Sequence, residues 1–236
     1  MKILVNQLDF EVPNASGPDY SGSLARVFPE VPERWVFGGS AASLVSNKGR
    51  TLTYAGTAPT FDANRVTVPQ EVGAGLITPF ADSASFTEVF AFARGSTSTM
   101  FVAGSVGNDG GVNRGDGIVT NGQNIRSLAV GFSNADVAIP TVSSTTMVVV
   151  GVSFSGSSRR VVVHGGGTPI DAEGTKTVRQ GVKRMIGNNG YSTSGYVRAV
   201  SFAEYQYLPR PSSLDELTAA VNEMAARVAA RGLVVL

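Results

Sequence analysis

The chain reads as all-β: two antiparallel sheets packed face to face, joined near the C-terminus by one α-helix. Three observations predict this. Short Val-, Thr- and Phe-rich runs are punctuated by Gly, Asn and Ser turns, and the 236 residues include 28 glycines. One run, 86–94, is apolar on both faces, as in a strand covered on both sides. Only one stretch, near the C-terminus, has helical periodicity.

In chain order, residues 2–12 carry a strand or two short ones. Residues 13–33 then hold Pro13, Pro18, Pro29 and Pro32 among Asn, Ser and Gly. This stretch breaks the β pattern and reads as an extended arm, so 1–32 is set apart from a β-sandwich over 33–236. Short strands follow around Trp35 to Ser40, 43–50, 51–54 and 65–68, with turn signals at Asn47-Lys48-Gly49 and Ala55-Gly56. In 86–94, Phe86, Phe90 and Phe92 point one way and Val89, Ala91 and Ala93 the other. Residues 99–104 are expected to return antiparallel to it. Residues 104–124 read as a glycine-rich loop. The runs 146–154 and 159–164 around Ser155-Gly156-Ser157-Ser158 predict a hairpin. A long last strand is expected over 196–207.

The helix is expected over 213–231. Ser213 and Glu216 have capping-box spacing, and Gly232 is a natural stop. Leu214, Leu217, Val221, Met224 and Val228 form an apolar stripe. Such a stripe docks on the chain's own sheet or makes a subunit contact; Val221, Met224 and Val228 are the candidates for the latter.

Composition narrows function. Nineteen basic residues balance 18 acidic ones, with no basic stripe, which argues against a nucleic-acid groove. Cysteine is absent, which excludes disulfides, thiolate metal sites and a cysteine nucleophile. No apolar run is long enough to span a bilayer, and the N-terminal residues lack the pattern of a signal peptide.

Several of these segments, taken together, carry a family resemblance: Trp35-Val-Phe-Gly-Gly-Ser, Phe86-Thr-Glu-Val-Phe-Ala, and Met147-Val-Val-Val-Gly-Val-Ser-Phe with Arg160-Val-Val-Val-His-Gly-Gly. Ile186-Gly-Asn-Asn-Gly-Tyr and Gly195-Tyr-Val-Arg-Ala-Val-Ser-Phe complete it. The order resembles concanavalin A-like, laminin G-like jelly rolls, in particular those of bacteriophage virion proteins. The resemblance implies a non-enzymatic structural protein, tail- or fibre-associated and assembled in the host cytoplasm. Its expected partners are other virion proteins, copies of itself and a host-surface carbohydrate, with neither nucleic acid nor membrane insertion. The alternatives are a capsid decoration or tail adaptor acting through protein contacts alone, and a glycoside hydrolase on the same fold.

Candidate sites follow. Asn108, Asp109, Asn113 and Asp116 offer oxygen ligands in the glycine-rich loop, for a sugar or for calcium, although their spacing matches no strict calcium loop. Tyr191 beside Asn188 and Asn189 offers an aromatic face next to amides. No cofactor is otherwise expected. For catalysis, His164 precedes three glycines but is the only histidine, and no Gly-x-Ser-x-Gly elbow accompanies it. A glycosidase requires two carboxylates roughly 5–5.5 or 6.5–9.5 Å apart. Glu88, with Glu204 or Asp82 brought near by folding, is the candidate set; no Glu-x-Asp-x-x-Glu strand is present.

Overall fold

The computed structural model describes residues 30–93, 99–188 and 194–236. The strands are β1 (Glu33–Val36), β2 (Thr53–Ala55), β3 (Thr60–Phe61), β4 (Val66–Val68), β5 (Gly75–Ala81) and β6 (Ser85–Ala93). Next come β7 (Met100–Gly104), β8 (Gly107–Asp109), β9 (Val112–Arg114), β10 (Asp116–Asn121), β11 (Asn124–Ala129) and β12 (Ala135–Ala138). The last are β13 (Met147–Ser155), β14 (Ser158–Val163), β15 (Ile170–Glu173), β16 (Lys183–Gly187) and β17 (Val200–Leu208), followed by helix α1 (Leu214–Ala230).

The first sheet runs β15-β14-β13-β6-β17-β4-β3, with β1 also paired to β17; the second runs β12-β11-β10-β7-β16-β5-β2. All these pairs are antiparallel. The expected β-sandwich with one C-terminal helix is the architecture found. Most of the arm expected over residues 1–32 lies outside the described residues.

Alternation decides the layers. Phe86, Phe90 and Phe92 of β6, with Val148, Val150, Val152 and Phe154 of β13, enter the core between the sheets. Their neighbours Val89, Ala91, Ala93, Met147 and Val149 face the other way, onto α1. A β-bulge at Ala203, the extra residue between the Phe202–Phe92 and Glu204–Ala91 pairs, turns Glu204 to the helix side. Tyr205 and Tyr207 beyond it stay in the inter-sheet core.

The capping box forms as expected: the Glu216 amide donates to Ser213 Oγ at 3.1 Å, and the Ser213 amide to Glu216 Oε2 at 2.9 Å. Leu217, Val221, Met224 and Val228 are fully buried against the first sheet of their own chain. Val221, Met224 and Val228 are therefore core residues, not a surface for a neighbouring subunit. Gly151 of β13 is the contact point, since a Cβ there would lie 2.6 Å from Val221 Cγ2 and 2.8 Å from Leu217 Cδ1.

Other expectations are corrected. Strand β7 pairs with β10 and β16 in the second sheet, not with β6. Residues 41–44 form a 3-10 turn, and so do 194–196, which shortens the last strand. Strand β5 was hidden by Pro79; its register with β16 shifts between Lys183 and Met185, so the proline falls where the ladder is irregular. The supposed loop 104–124 contains hairpin β8–β9 and the interior strand β10.

Met224→Ala should lower the unfolding free energy by about 2–5 kcal/mol, measured by chemical denaturation of the chain. Retained stability would mean that α1 does not belong to the core.

Candidate functional site

The densest chemistry lies between the sheets and is closed to solvent. Arg184 of β16 and Asp116 of β10 come from the second sheet, Glu88 of β6 and Tyr205 of β17 from the first. Arg184 donates through Nε and Nη2 to Glu88 at 2.7 and 2.8 Å, and through Nη1 and Nη2 to Asp116 at 2.7 and 2.8 Å. Its remaining Nη1 proton goes to Asp82 Oδ1 at 3.0 Å, so all of the guanidinium's donors are used. The cation stacks on Phe86, 3.8 Å from the ring centroid. Lys176 Nζ donates to Asp82, to Asp116 at 2.6 Å and to the Ser83 carbonyl at 2.7 Å. Tyr205 donates its hydroxyl to Glu88 at 2.7 Å, and the Arg179 amide donates to Asp82 Oδ2 at 2.7 Å.

Burial alone would raise the Asp116 pKa, but the Arg184 and Lys176 charges outweigh it and hold the carboxyl well below its ordinary 3.8. Burial, then the Glu88 charge, keeps the Tyr205 phenol protonated far above its ordinary range.

Five of the predicted ligand-site residues lie among the described residues, and they do not form one centre. Asp116 points into the interior, with both oxygens on Arg184, because β10 turns it inward. Asn188 is also buried; its amide donates to the Pro69 carbonyl at 2.7 Å and its oxygen accepts from the Arg198 amide at 2.9 Å. It pins a crossover and offers nothing to solvent. Asn108 and Asn113 bond each other across the exposed hairpin at 2.9 Å. Asp109 is held by Arg179 through Nε and Nη2 at 2.8–3.0 Å. Gly107 permits this clamp, because a Cβ there would lie 2.3 Å from Arg179 Nη1. Asn189 and Tyr191 fall outside the described residues. Among the described residues, no group of three or more His, Asp or Glu side chains is placed to hold a metal ion.

Of the glycosidase candidates, Asp82 joins Glu88 on the buried Arg184 guanidinium, whereas Glu204 does not. Glu88 faces the inter-sheet core on Arg184, while Glu204 faces the helix, where Arg227 donates to it at 2.7 and 3.1 Å. The two stand on opposite faces of one sheet. His164 bonds Asn222 of α1 at 2.9 Å at the end of β14.

On the outer face of the second sheet the partly exposed groups lie toward β11 and β12, since Phe101 and Val119 are themselves buried. The first sheet's outer face is covered by α1; among the described residues no α-helix lies over the second. Across it runs the row Phe101–Val119–Arg126–Asp136, in direct register through β7, β10, β11 and β12. Val106, ahead of the hairpin, and Tyr196, in the 3-10 turn, pack with Leu128 onto Phe101 and Val119. Val106 comes from the glycine-rich 104–124 segment and Tyr196 from the start of the expected last strand; neither is among the site candidates read from the sequence. Arg126 and Asp136 form a bidentate pair at 2.7 and 2.8 Å, about one third exposed. The Asp136 pKa is lowered, chiefly by that hydrogen bond. Here a half-buried tyrosine lies beside a paired cation and carboxylate, which sets an aromatic ring next to hydrogen-bond donors and acceptors.

No family model matches the chain, and no curated protein matches it. Solved structures share its fold. Trypanosoma rangeli sialidase in complex with the inhibitor DANA superposes with TM-score 0.61 at 15% identity, covering 87% of this chain and 35% of that one. The same sialidase in complex with sialic acid gives 0.59 at 14%, covering 81% and 33%. The botulinum neurotoxin serotype D binding domain gives 0.53 at 9%, covering 82% and 51%. The chain thus spans about a third of the sialidase and half of the toxin domain, and the likeness defines a class: the two-sheet β-sandwich.

Because Asp116 is ionised in the fold below its unfolded pKa, its contribution is present above the ordinary carboxyl range and is lost as pH falls through the lowered value. Asp116→Asn should be less stable at neutral pH and lose less on acidification than the wild type, read from denaturation midpoints between pH 7 and roughly pH 3. Parallel acid limbs would contradict the assignment.

Proposed function

We propose that the chain is a non-enzymatic, lectin-like module of a bacteriophage virion, tail- or fibre-associated, that binds host-surface glycan on the outer face of its second sheet. The observation that carries the binding surface is the asymmetric covering of the sandwich. Among the described residues, α1 covers one sheet, while the other carries the partly exposed Arg126–Asp136 pair beside a half-buried Tyr196. Neighbours that share the fold include a sialidase complexed with sialic acid and a toxin's receptor-binding domain, which supports a sugar ligand. The sequence resemblance supports the virion setting, with other virion proteins and copies of the chain as partners.

A module without catalysis accords with the carboxylates, since Asp82, Glu88, Asp116 and Glu204 are buried and paired with cations. It also works without a metal, since Asp109 and Asp116 spend their oxygens on Arg179, Arg184 and Lys176. The adaptor alternative loses one of its supports, because the helix stripe is used inside the chain.

The test is glycan-array binding by the full chain. A glycan bound by the wild type should bind roughly tenfold or more weakly to Tyr196→Ala and to Arg126→Ala, a loss of about 1.4 kcal/mol or more. Absence of binding to every glycan, or equal binding by both variants, would contradict the proposal.

A further inference from the structure

The interior cluster contains one arrangement that the binding surface does not use. Lys176 Nζ has no solvent exposure and lies between the carboxylates of Asp82 and Asp116, themselves no more than 2% exposed. Phe86 and Phe154 close over it, with ring centroids 4.6 and 5.2 Å from the nitrogen. No disulfide can form in this chain, and Lys176 and Asp82 are 94 residues apart in sequence.

We infer that this is a modification site, at which Lys176 and Asp82 condense without any enzyme to an intramolecular isopeptide bond, with Asp116 as the proton relay.

Four features of the geometry drive the step. The amine is shielded from water, and a desolvated lysine is a nucleophile once it has passed a proton to Asp116. The nitrogen is held at its target, which replaces a bimolecular encounter by an intramolecular one, worth effective molarities on the order of 10⁵–10⁸ M. Asp82 already accepts the Arg179 amide on Oδ2 and Arg184 Nη1 on Oδ1, donors placed where charge gathers on a tetrahedral intermediate. Asp116, 2.6 Å from the nitrogen, is a second carboxylate that takes a proton from Nζ and returns it to the departing oxygen.

The step balances without any other reactant. The Nζ–Cγ bond forms and one Cγ–O bond of Asp82 breaks. Of the three ammonium protons one stays on the amide nitrogen, and two leave with the oxygen as water. Nothing is oxidised or reduced, and Asp116 ends as it began. The product replaces a buried ion pair with a neutral amide, removing a desolvation penalty of several kcal/mol per ion. It leaves Glu88 and Asp116 on Arg184. Asp82 is the acyl partner because Arg184 reaches it through a single bond to Oδ1, whereas Arg184 binds both oxygens of Asp116.

The test is mass spectrometry of the purified full chain. The wild type should be lighter than its sequence by one water, and its digest should contain a branched peptide joining Lys176 to Asp82. Lys176→Arg and Asp82→Ala should each show the full sequence mass, and Asp116→Asn should slow or abolish the water loss. A folded wild type at full sequence mass overturns the inference whether or not the variants fold. So does a water loss without the branched peptide, as from succinimide formation at Asp109-Gly110, or a branch to Asp116 instead. Glycan binding is read separately, so either result leaves the binding proposal to its own test.

Discussion

Arg184 is the interaction on which the sandwich turns. A guanidinium between two sheets would be prohibitively placed without partners, since a buried unpaired charge costs several kcal/mol. Here its donors meet Glu88 from the opposite sheet, Asp116 from its own, and Asp82 at the end of β5. These partners fix the offset between the layers, because a slip of either sheet by one residue would turn Glu88 or Asp116 to the wrong face. Phe86 and Tyr205 extend the constraint into the aromatic core, where Tyr205 lies against Trp35 with centroids 5.4 Å apart.

That lock also determines what the rest of the molecule can do. Its carboxylates are committed to cations inside the fold, and Glu204 is committed to Arg227 beneath the helix. The helix covers one outer face, so chemistry left for a partner concentrates on the other. There Tyr196, Leu128 and the Arg126–Asp136 pair sit over a small apolar cluster. Layer order, more than any single motif, directs the functional reading.

Much of the framework was legible in the residues. The alternation of Phe86, Phe90 and Phe92 with Val89, Ala91 and Ala93 reports a strand buried on both sides, and the cores on its two faces match it. Ser213 with Glu216 marks the helix start because capping is local chemistry. The site was less legible. Asp116 looked like a loop ligand among glycines, and only its pairing with Ala129 and the strand phase turn it inward. Arg184 and Lys176 carry no local signal, since their carboxylate partners lie 60 to 102 residues away. Tyr196 gained its place from a 3-10 turn that brings it over Phe101, whereas strand periodicity assigned it to β17.

The central claim is that a buried, fully partnered arginine ties the two sheets. It is tested by denaturant unfolding of the wild type, Arg184→Met and the triple variant Arg184→Met, Glu88→Gln, Asp116→Asn. Arg184→Met alone should lose about 3–5 kcal/mol, because it strands the carboxylates, and the triple variant should recover part of that loss by removing their charge. An Arg184→Met protein within about 1 kcal/mol of wild type, or a triple variant less stable than the single one, would contradict it.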